Sequence, residues 1–231
     1  MVWLFYYLRK DLHPEPKKMI LKVFLYGMII TIPVFFIQIT LSELLKQLQI
    51  FSFFNSYPIL IDILKWFLVI AFTEEIFKYL AVRLAVLKNK ELDEPLDIML
   101  YMVVSALGFA AVENMFYMFL PIDNISFNSI IKMTITISFI RFIGATFLHT
   151  LSSAIIGYFL VKSLFDRKKR FRFLVIGISL ATLLHGLYNF SIMILDSPFN
   201  LIVPVVIVAG LASFMIYDFD EVKKLKGICK I

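Results

Sequence analysis

Two adjacent glutamates interrupt an apolar stretch, and this feature constrains the fold more strongly than any other in the sequence. Glu74 and Glu75 lie in the run FLVIAFTEEIFKYLAV, residues 67–82. A carboxylate at the centre of a bilayer costs about 2.5–3.5 kcal/mol even on the scale that gives the lowest values. Because lipid offers no hydrogen bonds, two such groups side by side need partners within the protein. We therefore expect this stretch to be a helix packed among other helices.

The composition is typical of a helical membrane protein. Of the 231 residues, 61% are hydrophobic, compared with about 45–50% in a soluble domain. The apolar residues form long blocks, which indicates several membrane-spanning helices. The single cysteine, Cys229, excludes a disulfide within the chain and a cysteine-based metal site. We predict an all-α, polytopic membrane helix bundle that forms one domain over residues 1–231.

Six segments are long enough to cross a hydrocarbon core of about 30 Å as helices. Most of the 23 lysines and arginines precede the first segment, lie between the second and third or the fourth and fifth, or follow the sixth. The positive-inside rule then places both termini in the cytoplasm of a multi-pass protein of the cell membrane. We take the net charge of +6 as a topology signal and expect the lipid bilayer, but no nucleic acid, as a partner. The predicted spans are residues 19–41, 59–87, 96–120, 129–162, 172–195 and 199–217.

Acidic and imidazole side chains recur at a similar depth in four of these spans. Glu75, His149 and His185 each lie about 20 Å from the cytoplasmic boundary of their span at the helical rise per residue, and Glu113 lies about 25 Å away. We therefore expect these side chains to meet inside the bundle. Lys78 lies one helical turn after Glu74, so the two can form an ion pair.

Carboxylates and histidines that converge in this way suggest hydrolysis. A glutamate can act as general base toward water, and a histidine can hold the water or share its proton. His185 and Asn189 lie on one helix face and can donate hydrogen bonds to an oxyanion. The same residues could bind a divalent metal, since catalytic zinc commonly takes three N or O ligands and leaves one position for water. For this alternative we expect zinc first among the metals, bound by Glu75, Glu113, His149 and His185.

Two other classes of function stay open on these residues. Intramembrane glutamates and histidines also form proton relays in transporters and channels, although the sequence lacks the inverted repeat common in transporters. A non-catalytic, immunity-type membrane protein could retain the same residues as structural contacts. The sequence contains neither a GxSxG nor an HExxH motif, so the common soluble hydrolase signatures are absent.

Four motifs, in order on four successive predicted spans, resemble those of the PrsW intramembrane proteases. That family belongs with the CAAX prenyl endopeptidases and bacteriocin-processing proteins to one larger superfamily. The motif-bearing core covers about residues 74–190. The motifs are EEIFK at 74–78, GFAAVENMFY at 108–117, the stretch from Arg141 through His149 to Tyr158, and LLHGLYNF at 183–190.

The resemblance implies an intramembrane endopeptidase that cleaves a membrane-anchored protein, such as an anti-sigma factor. It also implies catalytic roles for residues of the motifs. Glu74 would be the base, with Glu75 as a close second, and His149 would be its partner. His185 and Asn189 would stabilise the oxyanion. Asn189 stands where many PrsW members have aspartate, which leaves the substrate class open.

Overall fold

The computed structural model describes residues 15–48, 50–87, 92, 94–118, 134, 135, 139 and 141–223. All regular secondary structure in these residues is helical, as the composition predicted. The first half contains α1 (Lys17–Leu48), α2 (Ser52–Ser56), α3 (Pro58–Ile63), a π-helical segment (Leu64–Phe72) and α4 (Thr73–Ala85). The second half contains α5 (Pro95–Met118), α6 (Ala145–Phe165), a 3₁₀ turn (Arg167–Lys169), α7 (Arg170–Ile194) and α8 (Phe199–Lys223).

Five helices among the described residues are long and apolar enough to cross a membrane. They correspond to all the predicted spans except the second, residues 59–87, which the structure forms from α3, the π-helical segment and α4. α1 is longer than the predicted span of residues 19–41, since the helix begins at Lys17 and continues to Leu48. Residues 129–133 of the predicted fourth span lie outside the described residues. The five helices are Lys17–Leu48, Pro95–Tyr117, Arg141–Phe165, Arg167–Ile194 and Phe199–Phe219.

α5 is the central helix of the bundle. Within its apolar stretch 89% of the residues are buried, compared with 22% in α1 and in α8. A helix that is apolar on every side is suited to such a position because it can pack in all directions. α5 packs against α1 and α6, α6 packs against α7, and α7 packs against the π-helical segment. This arrangement brings α4, α5, α6 and α7 together around the polar residues.

α1 and α5 approach each other closely at two glycines. A Cβ atom on Gly27 would lie 2.1 Å from the backbone oxygen of Ser105, and one on Gly108 would lie 2.1 Å from the backbone oxygen of Phe24. Neither position has room for a side chain, so the helix backbones can touch only because both residues are glycine. Small residues allow this kind of contact between membrane helices, and here the contact holds α1 beside the polar cluster.

Candidate metal centre

α4 carries three ionisable side chains into the interior of the bundle. Glu74, Glu75 and Lys78 are 2%, 0% and 0% exposed. Successive residues of a helix point about 100° apart, so two adjacent glutamates are both buried only where other helices surround α4. The π-helical segment ends immediately before α4. Such segments often lie at functional sites, and this one delivers the glutamate pair to the centre of the bundle.

The two carboxylate oxygens of Glu74 have different surroundings. Oε1 accepts a hydrogen bond from Gln38 Nε2 at 3.0 Å. Oε2 is buried and accepts no hydrogen bond from any described residue. Instead it faces His149 Nδ1 at 3.7 Å and His185 Nε2 at 3.8 Å. Ligand atoms of Glu74, His149 and His185 all lie within 4.8 Å of one another. We call these three residues the candidate metal triad.

Each histidine of the triad has a carboxylate behind it. His149 Nε2 lies 2.7 Å from Glu113 Oε2, and His185 Nδ1 lies 2.7 Å from Glu75 Oε1. A neutral imidazole that donates one N–H to a carboxylate keeps its other nitrogen as an acceptor. That other nitrogen faces Glu74 in both rings. Metal-binding histidines are commonly oriented by carboxylates in this way.

Glu75 is an anchor for the network. It accepts hydrogen bonds from Lys78 Nζ at 2.6 Å, Ser152 Oγ at 2.8 Å and Ser153 Oγ at 3.4 Å, in addition to its contact with His185. Oε1 makes three of these contacts and Oε2 makes the one with Ser153, so each oxygen has a partner among the described residues. The predicted ion pair between Glu74 and Lys78 was wrong, because Lys78 pairs with Glu75 one residue further on.

Lys78 also connects α4 to the triad. Its Nζ lies 3.1 Å from His149 Nδ1 and 5.3 Å from the centre of the Phe109 ring. An ammonium group can only donate hydrogen bonds, so Nδ1 of His149 acts as the acceptor. The neutral ring then carries its proton on Nε2, and this N–H donates a hydrogen bond to Glu113.

A second set of contacts joins the end of α5 to the beginning of the next span. Arg141 Nη2 lies 3.0 Å from Glu113 Oε2, and Arg141 Nε donates to Asn114 Oδ1 at 2.9 Å. The guanidinium group also lies over the Tyr117 ring, 3.5 Å from its centre. Asn114 in turn donates to Thr146 Oγ1 at 3.0 Å. These contacts hold Glu113 beside His149.

The structure brings most of the predicted site residues into one network and adds others. Glu74, Glu75, Glu113, His149 and His185 are connected by the contacts described above. Asn189 is half-buried, and its side chain makes no hydrogen bond with any described residue. The candidate metal triad contains Glu74, whereas the predicted set of metal ligands contained Glu75 and Glu113. The residues that sequence reasoning missed are Gln38, Ser152 and Ser153.

Gln38 was the most detectable of the missed residues. It is an amide within the otherwise apolar first span, and a polar side chain in a membrane helix usually has a partner inside the bundle. Its position outside the four motifs explains why it was overlooked. Ser152 and Ser153 carried no comparable signal, because serines are common at membrane helix contacts whether or not a site is near.

The residues present fit a divalent cation. A buried carboxylate oxygen without a donor is costly, because it has lost its water and gained no hydrogen bond. A cation between Glu74 and the two histidines would compensate that cost. Two imidazole nitrogens and one carboxylate oxygen form a ligand set that catalytic zinc uses, with one position left for water.

Known proteins match most of the chain. Residues 15–216 match the family model described as PrsW family intramembrane metalloprotease. Protease PrsW of Oceanobacillus iheyensis is 30% identical over 181 residues, covering 78% of this chain and 73% of the relative. Protease PrsW of Clostridioides difficile is 30% identical over 197 residues, with 84% and 76% covered, and that of Bacillus subtilis is 28% identical over 194 residues, with 84% and 78% covered. No solved structure matches the chain.

Proposed function

Because the chain belongs to the PrsW family of intramembrane metalloproteases, we propose that it hydrolyses a peptide bond of a membrane-anchored protein at the candidate metal triad. The protein is a membrane protease, in line with its family. One observation carries the choice of site: the buried Oε2 of Glu74, which two imidazole nitrogens face at 3.7 and 3.8 Å. The transporter and immunity-type alternatives are set aside because the matching relatives are proteases.

In this proposal Glu74 Oε2, His149 Nδ1 and His185 Nε2 would hold a divalent metal, zinc first. His149 Nδ1 would then exchange its hydrogen bond from Lys78 for the metal, while Lys78 keeps its ion pair with Glu75. When bound, such an ion activates a water molecule and polarises the scissile carbonyl. Glu113 and Glu75 orient the two imidazole rings, because each accepts a hydrogen bond from the ring N–H that does not face Glu74. Lys78 neutralises Glu75, so this carboxylate does not compete with Glu74.

Glu113 is our candidate to accept the proton of the attacking water. It lies across the His149 ring from Glu74, and both carboxylates line one cavity. Glu74, which the sequence suggested as the base, becomes a ligand. Glu75 becomes a positioning residue, because its oxygens are already used by Lys78, Ser152, Ser153 and His185. If His185 binds the metal, it is no longer free to donate to the oxyanion. Of the two residues predicted for that role, Asn189 remains, and its role stays a prediction.

We also propose that the chain spans the cell membrane six times as one domain. Together, α3, the π-helical segment and α4 would form one further span in addition to the five helices, the second in sequence order. This span carries the glutamate pair into the bundle. Both termini would lie in the cytoplasm. Supporting this are the basic residues around the 3₁₀ turn, Arg167–Lys169, and those that follow α8.

The function is tested with the purified protein in proteoliposomes and a transmembrane peptide substrate. We expect Glu74→Gln to lower the cleavage rate at least about 100-fold, because loss of a metal ligand should cost more than the 10–100-fold typical of residues that only orient ligands. Glu43→Gln is the matched control, since Glu43 lies exposed on α1 and its ion-pair partner among the described residues is Lys46. A chelator should abolish cleavage and zinc should restore it. Full activity of Glu74→Gln would contradict the proposal.

A further inference from the structure

A cavity of about 470 Å³ lies between α1, the π-helical segment and α5. It reaches the proposed centre, because Glu74 and Glu113 form part of its wall. Its volume falls within the range of about 300–1,000 Å³ that is typical of ligand sites. The remainder of the wall is mostly apolar and includes Val34, Phe35, Ile70, Phe109 and Phe116.

A hydrogen-bond donor without an acceptor lies beside the cavity. Trp66 lines it, and the indole N–H of Trp66 is buried with no acceptor among the described residues. Buried indole N–H groups usually have a partner. Lys65, another wall residue, has its Nζ 5.0 Å from the centre of the Trp66 ring. The occupant that fits this wall is therefore mainly apolar, and a hydrogen-bond acceptor on it would give the indole N–H a partner.

A peptide segment that leaves helical structure inside the membrane has both properties. Its carbonyl groups lose their helical partners and need donors, because lipid supplies none. Its side chains in a membrane-spanning substrate are mainly apolar. An acidic side chain would be unfavourable in this cavity, since it would lose water beside the carboxylates of Glu74 and Glu113.

We propose that this cavity binds the substrate residue beside the scissile bond and selects a large apolar side chain such as leucine, methionine or phenylalanine. The Trp66 N–H donates to a backbone carbonyl of the same substrate segment. This inference rests on the proposed function, because it requires that cleavage takes place at Glu74. It adds the chemical class of the residue that is recognised there.

Cleavage-site profiling tests the side-chain preference. A mixture of transmembrane peptides is incubated with the protein in proteoliposomes, and the cut positions are read by mass spectrometry. We expect one fixed position relative to the cut to be enriched at least about fivefold in large apolar residues and depleted in aspartate and glutamate. Phe35→Ala removes an apolar group from the wall and should shift this enrichment to a lower value.

Phe36→Ala is the matched control for that shift. Phe36 is the neighbour of Phe35 on α1, is 62% exposed and does not line the cavity. Its substitution should leave the profile unchanged. Identical profiles for Phe35→Ala and Phe36→Ala, or cleavage without apolar enrichment at any position, would overturn the proposal.

The hydrogen bond is tested by Trp66→Phe, which removes the N–H and keeps most of the ring. Loss of one hydrogen bond of ordinary strength should lower kcat/KM about fivefold, with the same cleavage positions. An unchanged kcat/KM would show that the Trp66 N–H does not bind the substrate.

A binding measurement separates this proposal from the proposed function. In a Trp3→Phe, Glu74→Gln protein, Trp66 is the only tryptophan and cleavage is blocked. A tryptophan-free transmembrane peptide that carries bromophenylalanine should quench Trp66 fluorescence, whereas the same peptide with alanine should not. Quenching together with an inactive wild-type protein would end the proposed function and would leave of this proposal only the binding of an apolar peptide segment in the cavity. Cleavage without quenching would end the cavity proposal alone.

Discussion

Glu74 and Glu75 are neighbours in sequence, but their oxygens contact different groups. Glu75 accepts hydrogen bonds from a lysine, two serines and a histidine. Glu74 uses one oxygen for Gln38 and turns the other toward two imidazoles. The sequence could predict that both acids are buried, but it could not distinguish their roles. That distinction depends on Ser152, Ser153 and Gln38, which come from other helices.

Gln38 fixes the rotation of the Glu74 carboxylate. Gln38→Leu keeps the approximate size of the side chain and removes the donor to Oε1. The carboxylate is then free to turn, so we expect the affinity for zinc to fall about 10–100-fold, the effect typical of residues that orient metal ligands. Competition with a fluorescent chelator measures this affinity in the absence of any peptide.

The control for this substitution is Gln47→Leu, the same change at an exposed position on the same helix. It should leave the zinc affinity at the wild-type value. An affinity for zinc that is equal in the Gln38→Leu, Gln47→Leu and wild-type proteins would contradict a positioning role for Gln38.

At the scale of elements, the sequence predicted helices well because a bilayer permits little else. Backbone groups in lipid must be satisfied within the segment, so long apolar blocks become helices. The π-helical segment (Leu64–Phe72) was not predicted, since its residues are as apolar as those of an ordinary span. The segment packs against α7, where the ring of Phe67 fills the space beside Gly186.

The contact between α1 and α5 tolerates only glycine at its closest points. Gly108→Ala places a methyl group against the backbone oxygen of Phe24, and that oxygen can move only with its helix. We expect a loss of about 1–3 kcal/mol in the free energy of unfolding, as in other overpacked interiors. Thermal unfolding in detergent measures the change.

Gly210→Ala is the control, because a Cβ atom at Gly210 would have no described atom within 4 Å. Its stability should stay within about 0.5 kcal/mol of the wild type. Equal melting temperatures for the two variants would show that α1 and α5 are not held as closely as described.

For the whole molecule, composition predicted the class of protein without any motif. The 61% hydrophobic composition indicated a membrane bundle, and the structure contains five helices that could span a membrane. The sequence could not predict how the helices pack, because the hydropathy of a segment does not specify which other helices it contacts. The central position of α5, for example, follows from contacts on all of its sides.

The single cysteine offers a direct test of topology. With both termini in the cytoplasm, Cys229 should react with a membrane-impermeant maleimide in inverted vesicles and stay unmodified in intact cells. In a Cys229→Ser background, Ser52→Cys lies after α1 and should show the opposite pattern. Labelling of Cys229 from outside the cell would contradict the proposed topology.

The central claim is that Glu74, His149 and His185 bind one metal ion together. X-ray absorption spectroscopy of the purified protein loaded with zinc tests this most directly. We predict one zinc per chain, surrounded only by nitrogen and oxygen, with the scattering of two imidazole rings. His185→Ala should reduce that signal to one ring. Absence of zinc from the wild-type protein, or an unchanged two-ring spectrum in His185→Ala, would contradict the account.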